Sequence, residues 1–149
     1  MVLLYIYIIG PFISLVVCQL IKFFIESWKN KRLEWGRLFN GAGGMPSTHT
    51  TFSMSLTTLI GYTVGIKDPL FAACLIFSFI VSYDAIGVRY ESGKQAAAIN
   101  DIVDELEKKH KKKYRIDELK EQLGHKPYEV MGGALLGFFM GSLFYFMLF

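Results

Sequence analysis

Four stretches of this 149-residue chain, at residues 3–25, 50–66, 70–88 and 130–149, are apolar at most positions and almost free of charge. Each is near the ~20 residues a helix needs to cross a bilayer. The pattern predicts an all-α, polytopic membrane bundle of about four transmembrane helices. The first stretch runs through Gly10-Pro11 and lacks both a basic start and a small-residue cleavage site. It therefore reads as a retained, kinked span and not as a signal peptide. The second carries Thr50, Thr51, Ser53, Ser55, Thr57 and Thr58, and is expected to face protein or a site in place of lipid. In the fourth, Gly133, Gly137 and Gly141 recur every four residues on one helical face, where another helix can pack closely.

Between the third and fourth stretches, Ala98, Ile99, Ile102, Val103 and Leu106 fall at helical spacing, with Asp101, Asp104, Glu105, Glu107 and Lys108 around the other face. This predicts a helix at the membrane surface. A second short surface helix is expected through Ile116, Leu119 and Leu123, with Gly124 as its stop signal. No repeat or linker divides the chain, so residues 1–149 read as a single integral-membrane domain.

Composition agrees: 52% of residues are hydrophobic and 19% charged, more apolar than an average soluble protein. Lys29, Lys31, Arg32 and Arg37 lie in the first connection and ten more basic residues between Arg89 and Lys126, whereas the short turn near Lys67 has one. Basic residues favour the cytoplasmic side, so both connections are expected there, with both termini opposite, in a protein of the plasma membrane. The net charge of +3 suits anionic lipid, and no nucleic-acid motif accompanies it. The basic run at 108–113, with His110 inside it, reads as a solvated, lipid-attracting patch. Cys18 and Cys74 sit inside apolar stretches and form neither a disulfide nor a metal pair on this reading.

Three polar segments fall where the spans end. Gly43-Gly44-Met45-Pro46-Ser47-Thr48-His49 sets glycines, hydroxyls and an imidazole before the second stretch. Exposed N–H groups there attract anions and His49 can carry a proton; a turn followed by helix capping is the alternative. Asp84 and Arg89 close the third stretch. Arg89 can grip phosphate oxygens through its planar fork, or the two can simply pair, or Arg89 can snorkel. Gly124-His125-Lys126-Pro127-Tyr128-Glu129 opens the fourth, with Pro127 suited to a first helical position. The i, i+4 separation brings Glu129 to His125, where a carboxylate fixes the imidazole tautomer and makes the other nitrogen a better base or nucleophile. A helix-start histidine beside an exposed acid is the alternative. Lys22, one turn after Gln19, either snorkels or binds phosphate.

With these residues the chain resembles the divergent branch of the type-2 phosphatidic acid phosphatase and vanadium haloperoxidase superfamily. The resemblance covers nearly the whole chain and rests on GGMPSTHT at 43–50, YDAIGVRYESGKQAAAIN at 83–100 and LGHKPYEVMGG at 123–133. By position, Pro46-Ser47-Thr48-His49 is similar to the superfamily's Pro-Ser-Gly-His motif, implying that Ser47 bonds phosphate and His49 protonates the leaving oxygen. His125 through Glu129 is similar to the end of its His-x-x-x-Asp motif, implying a nucleophilic His125 oriented by Glu129. Lys22 is similar to the phosphate-binding lysine of its first motif. Thr48 replaces glycine, Glu129 replaces aspartate, and Leu119 stands where an arginine is usual; Arg89 is expected to supply that charge.

The resemblance implies a lipid phosphatase of the cytoplasmic face, acting on a polyprenyl phosphate or diphosphate through a phosphohistidine. Its catalytic set is His125, His49 and Glu129, and its substrate-binding set Lys22, Gly43, Gly44, Ser47, Arg89 and Asp84. Fixed cations and N–H donors leave the scheme no requirement for a metal or other cofactor. Two rivals stand beside it: a Mg²⁺-dependent glycerophospholipid phosphatase using Asp84, Asp101 or Asp104, and a noncatalytic lipid-phosphate-binding scaffold. The superfamily commonly has six core helices, so four spans with two surface helices approximate the count, or a homo-oligomer completes the bundle.

Overall fold

Runs of apolar residues satisfy their backbone polar groups internally by forming helices, the one economical solution in a bilayer for a chain without paired strands. The computed structural model describes residues 2–33, 35, 43–111, 117–119, 121 and 124–148. Five α-helices account for most of them: α1 (Val2–Asn30), α2 (Thr48–Thr63), α3 (Pro69–Ile86), α4 (Val88–His110) and α5 (Pro127–Leu148). Three candidate spans, Tyr5–Asn30, Pro69–His110 and Pro127–Leu148, are long and apolar enough to cross a membrane. The expected fourth, α2, is not one of them. It has 16 residues, rich in hydroxyls, and it packs against α1, α3 and α5 as the centre of the bundle.

The hydroxyls explain that position. Thr50, Thr51, Ser53, Ser55, Thr57 and Thr58 are all buried, and each is satisfied locally or across a helix contact. Thr51 donates to Ser47 O and Gly133 O, Thr57 to Ser53 O, and Thr58 to Met54 O. Thr57 Oγ1 also pairs with Ser78 Oγ on α3 at 2.9 Å. Among the described residues no buried side-chain N or O lacks a partner, which removes the desolvation penalty that would otherwise oppose a polar core.

The glycines of α5 bring it against α2. A Cβ at Gly133 would stand 2.5 Å from Ser47 O, at Gly137 2.6 Å from Thr51 O, and at Gly141 2.6 Å from Ser55 O. Each four-residue step on α5 matches a four-residue step on α2 in the same direction. The two helices therefore run parallel, and both begin at the same end of the bundle.

α1 continues through Pro11, with Ser14 Oγ donating to Gly10 O. Asp68 caps α3 by accepting from Leu70 N at 2.8 Å, with Pro69 in the first turn. α4, where a surface helix was expected, begins at Val88, ten residues before the expected apolar pattern, and follows α3 across the single residue Gly87. Among the described helices it packs only on α3. Ile99, Ile102 and Leu106 remain exposed along one face, and left-handed Lys111 ends the helix. The second surface helix is not borne out where it is described: residues 117–119 and 121 are non-helical, while Ile116 and Leu123 lie outside the described residues, as does Arg37.

Candidate functional site

Gly43 and Gly44 adopt positive φ of 72° and 80°, a turn that L side chains disfavour. The turn leads through Pro46 and Ser47 into α2. Ser47 N–H donates to Glu129 O at 2.9 Å, tying this segment to the start of α5. His125 N–H donates to Ala85 O at 2.9 Å, tying the same region to the end of α3. Gly124 makes that approach possible, since a Cβ there would lie 2.5 Å from both Ala85 O and Tyr90 N. The glycine expected to stop a helix instead lets two backbones meet.

His125 is buried, and its Nδ1 lies 3.1 Å from Glu129 Oε2, with the two side chains 6% and 12% exposed. The same carboxylate oxygen accepts Lys126 N–H at 3.0 Å, so it is held in place from a second direction. An ionised Glu129 assigns the Nδ1 proton and leaves Nε2 with the lone pair. His49 stands in the first turn of α2, partly open to solvent, and its ring has no hydrogen-bond partner among the described residues. Lys22 is 2% exposed and donates to Gly43 O at 3.0 Å. Arg89 Nε meets Asp84 Oδ2 at 2.6 Å on the rim, where both side chains are well exposed.

Electrostatics join these groups. His49 and His125 lie outside the membrane-spanning segments, and both titrate below the ordinary histidine value of 6.5. For His49 the first cause is burial, followed by the charges of Arg89, His125 and Lys22, with Asp84 opposing. For His125 burial again leads; the Glu129 hydrogen bond opposes it, and Lys22 and Arg89 reinforce it. Both imidazoles are thus held neutral near pH 7, which suits a nucleophile at once and suits a proton donor only after an anion has arrived. The parallel α2 and α5 add two helix N-termini, the positive ends of their dipoles, beside the same cations.

Among the expected site residues, Glu129 pairs with His125, the charges of Arg89, His125, Lys22 and Asp84 act on His49, and Gly43 O accepts from Lys22. Ser47 differs: it is fully buried, does not cap α2 with its side chain, and its Oγ accepts from Thr50 Oγ1 at 3.0 Å. Asp101 and Asp104 lie exposed along α4, and among the described residues no group of three or more His, Cys, Asp or Glu is arranged to hold a metal ion. His110 ends α4, away from the site segments.

Three contacts are not foreshadowed by the sequence motifs. Glu26 lies against Gly44, where a Cβ would stand 2.7 Å from its carboxylate. Cys18 donates to Pro46 O at 3.5 Å beneath the turn. Asn100 on α4 grips the returning chain, with Nδ2 to Leu119 O at 2.9 Å and Leu119 N to Oδ1 at 3.0 Å. A polar Asn between Ile99 and Ile102 was the available signal for the last.

No solved structure matches this chain. A Bacillus subtilis (strain 168) protein named "Uncharacterized membrane protein YuiD" is 35% identical over 133 residues, covering 83% of this chain and 84% of that one. Residues 5–140 match the family described as "Divergent PAP2 family", and a match that takes in all three polar segments and most of the chain makes this chain a member of the divergent PAP2 family of membrane proteins.

Proposed function

We propose that this protein is a membrane lipid phosphatase that hydrolyses a polyprenyl phosphate or diphosphate at the cytoplasmic face of the plasma membrane. The observation that carries the reading is the His125–Glu129 pair beside His49, Lys22 and Arg89, brought from four separate segments to the start of two parallel helices.

The neutral His125 attacks phosphorus through Nε2, forming a P–N bond as the P–O bond to the lipid breaks. Glu129 stabilises the positive charge that develops on the ring. Lys22, Arg89 and the helix N-termini hold the phosphate oxygens, and the substrate's negative charge raises the proton affinity of His49. His49 then gives its proton to the departing lipid oxygen. In the second step His49 takes a proton from water, the oxygen attacks phosphorus, and the P–N bond breaks to release phosphate. Ser47 acts here by positioning: its N–H holds Glu129 O, and its buried hydroxyl supports Thr50.

The test uses detergent-purified protein and a panel of polyprenyl phosphate, polyprenyl diphosphate and phosphatidate. Phosphate release is expected, fastest with an isoprenoid substrate, together with an acid-labile phosphoprotein that is absent in His125→Ala. Binding of a lipid phosphate with no release from any member of the panel overturns the enzyme and leaves a binding protein.

A further inference from the structure

We infer that the one-residue break between α3 and α4 at Gly87 positions His125 and Arg89 together; what the two then do rests on the phosphatase reading. α3 ends at Ile86 and α4 starts at Val88, so a single residue divides two helices that could have been one. The last carbonyls of a helix and the first N–H groups of the next have no partner within their own helix. Gly87 closes part of the gap itself: its N–H donates to Tyr83 O at 2.8 Å, and its carbonyl accepts Glu91 N–H at 3.0 Å. Ala85 O and Tyr90 N lie between these two bonds.

The returning chain enters there. Ala85 O accepts His125 N–H at 2.9 Å, and this is the carbonyl that an uninterrupted helix gives to the N–H of residue 89. Gly124 lies against both sides of the break at once, since a Cβ on it would stand 2.5 Å from Ala85 O and 2.5 Å from Tyr90 N. A continuous helix encloses both of those atoms in its own hydrogen-bond ladder. It therefore offers no seat for the backbone of Gly124 and His125.

Arg89 depends on the same break through its side chain. Its Nε meets Asp84 Oδ2 at 2.6 Å, five residues back. On a continuous helix residues three or four apart are neighbours, whereas residues five apart point roughly 140° away from each other. The pair forms because the chain turns at Gly87. That turn keeps the guanidinium at the end of α3, where Arg89 is the leading charge acting on His49 and also acts on His125. A cation from α4 and the nucleophile that precedes α5 are thus set by one residue that supplies no side chain.

The experiment compares Gly87→Ala with Gly87→Ser in the full chain in detergent. Alanine favours continuing the helix, whereas serine at this N-cap position favours starting a new one. Both add the same Cβ, which would stand 3.2 Å from Tyr83 O, so the comparison separates the break from the added atom. Ser92→Ala, at an exposed position one turn into α4, controls for helix propensity alone. In Gly87→Ala the His125 amide should exchange with deuterium about tenfold faster or more. The His49 pKa should rise toward 6.5 as Arg89 turns away, read by NMR. For a soluble phosphate ester kcat/KM should fall about tenfold or more, with a melting temperature no lower than wild type. Gly87→Ser and Ser92→Ala should keep the slow exchange, the lowered pKa and most of the rate. Unchanged His125 exchange or an unchanged His49 titration in Gly87→Ala overturns the inference. So does a rate lost in step with melting temperature, or a Gly87→Ser variant that falls as far as Gly87→Ala. A wild type that hydrolyses no ester, with exchange and titration shifting as expected, instead sinks the phosphatase reading and leaves the positioning by Gly87 standing.

Discussion

Replacing Glu129 with glutamine changes the charge of the orienting group and little of its shape. The wild-type Oε2 accepts from His125 Nδ1 at 3.1 Å and from Lys126 N–H at 3.0 Å. A glutamine carbonyl oxygen in that place can accept both bonds, so the fold should survive. The negative charge facing the imidazole as it turns cationic is lost. A unit charge about 4 Å away is worth about 4 kcal/mol at an effective dielectric of roughly 20. The amide dipole and the retained hydrogen bond recover part of this, leaving about 2–3 kcal/mol, a fall of roughly 30- to 150-fold in turnover. A second readout separates this from simple damage. Glu129 raises the pKa of His125 by hydrogen bonding and by charge, so its neutralisation lowers that pKa further. The acid limb of the pH–rate profile, where His125 becomes protonated and inactive, should move to lower pH as the plateau falls. The assay is kcat against pH on a soluble phosphate ester in detergent, with thermal unfolding as the control for folding. A plateau within twofold of wild type, or an acid limb that moves upward, refutes Glu129 as the partner of a nucleophilic His125.

Arg89→Lys keeps the charge but loses the planar fork, and is expected to cost about 2–4 kcal/mol in turnover. Asp84→Asn should leave unfolding nearly unchanged, because an exposed pair is worth about 0–1 kcal/mol. Equal losses of melting temperature in both variants, with normal turnover of the folded fraction, would reduce Arg89 to an ion-pair partner. Arg89→Gln should also raise the His49 pKa toward 6.5, since Arg89 is the leading charge that lowers it; NMR titration of the ring reads this directly. Gly137→Val places atoms against Thr51 O and Ser55 N, which are helix backbone, and should destabilise the bundle by about 1–3 kcal/mol or more. Leu135→Val, on the exposed face, is the control, and equal melting temperatures for the two would undo the parallel packing. Asn100→Ala removes three hydrogen bonds to Leu119 and Glu121. Protease cleavage between residues 111 and 124 should accelerate and kcat fall several-fold with KM nearly constant; unchanged cleavage would show that Asn100 positions nothing.

What the sequence revealed follows the range of the interactions. Spans α1, α3 and α5 were legible because a long charge-free run is a local property, and His125–Glu129 was legible because i, i+4 neighbours meet on or near a helix start. The role of α2 was only half legible. Its hydroxyls signalled burial, but their satisfaction by carbonyls one turn back, by Gly133 O and by Ser78 depends on neighbours far along the chain. Ser47 illustrates the same boundary, since motif spacing located the residue but not the inward direction of its hydroxyl. Gly124 was misread as a helix stop because a helix end and a close backbone approach both call for the absence of a side chain. The glycine stripe of α5 is the instructive case. Its four-residue spacing identified a packing face, and packing alone was inferred from it. Because Gly133, Gly137 and Gly141 meet Ser47, Thr51 and Ser55 in step, the same stripe sets the two helices parallel and fixes where α2 begins relative to α5. His49 and His125 belong to those two beginnings. A register shift of one turn between the helices would displace them by about 5 Å, enough to break the Ser47–Glu129 backbone bond and to part the two imidazoles. The packing face is therefore the element that makes two distant histidine motifs into one site.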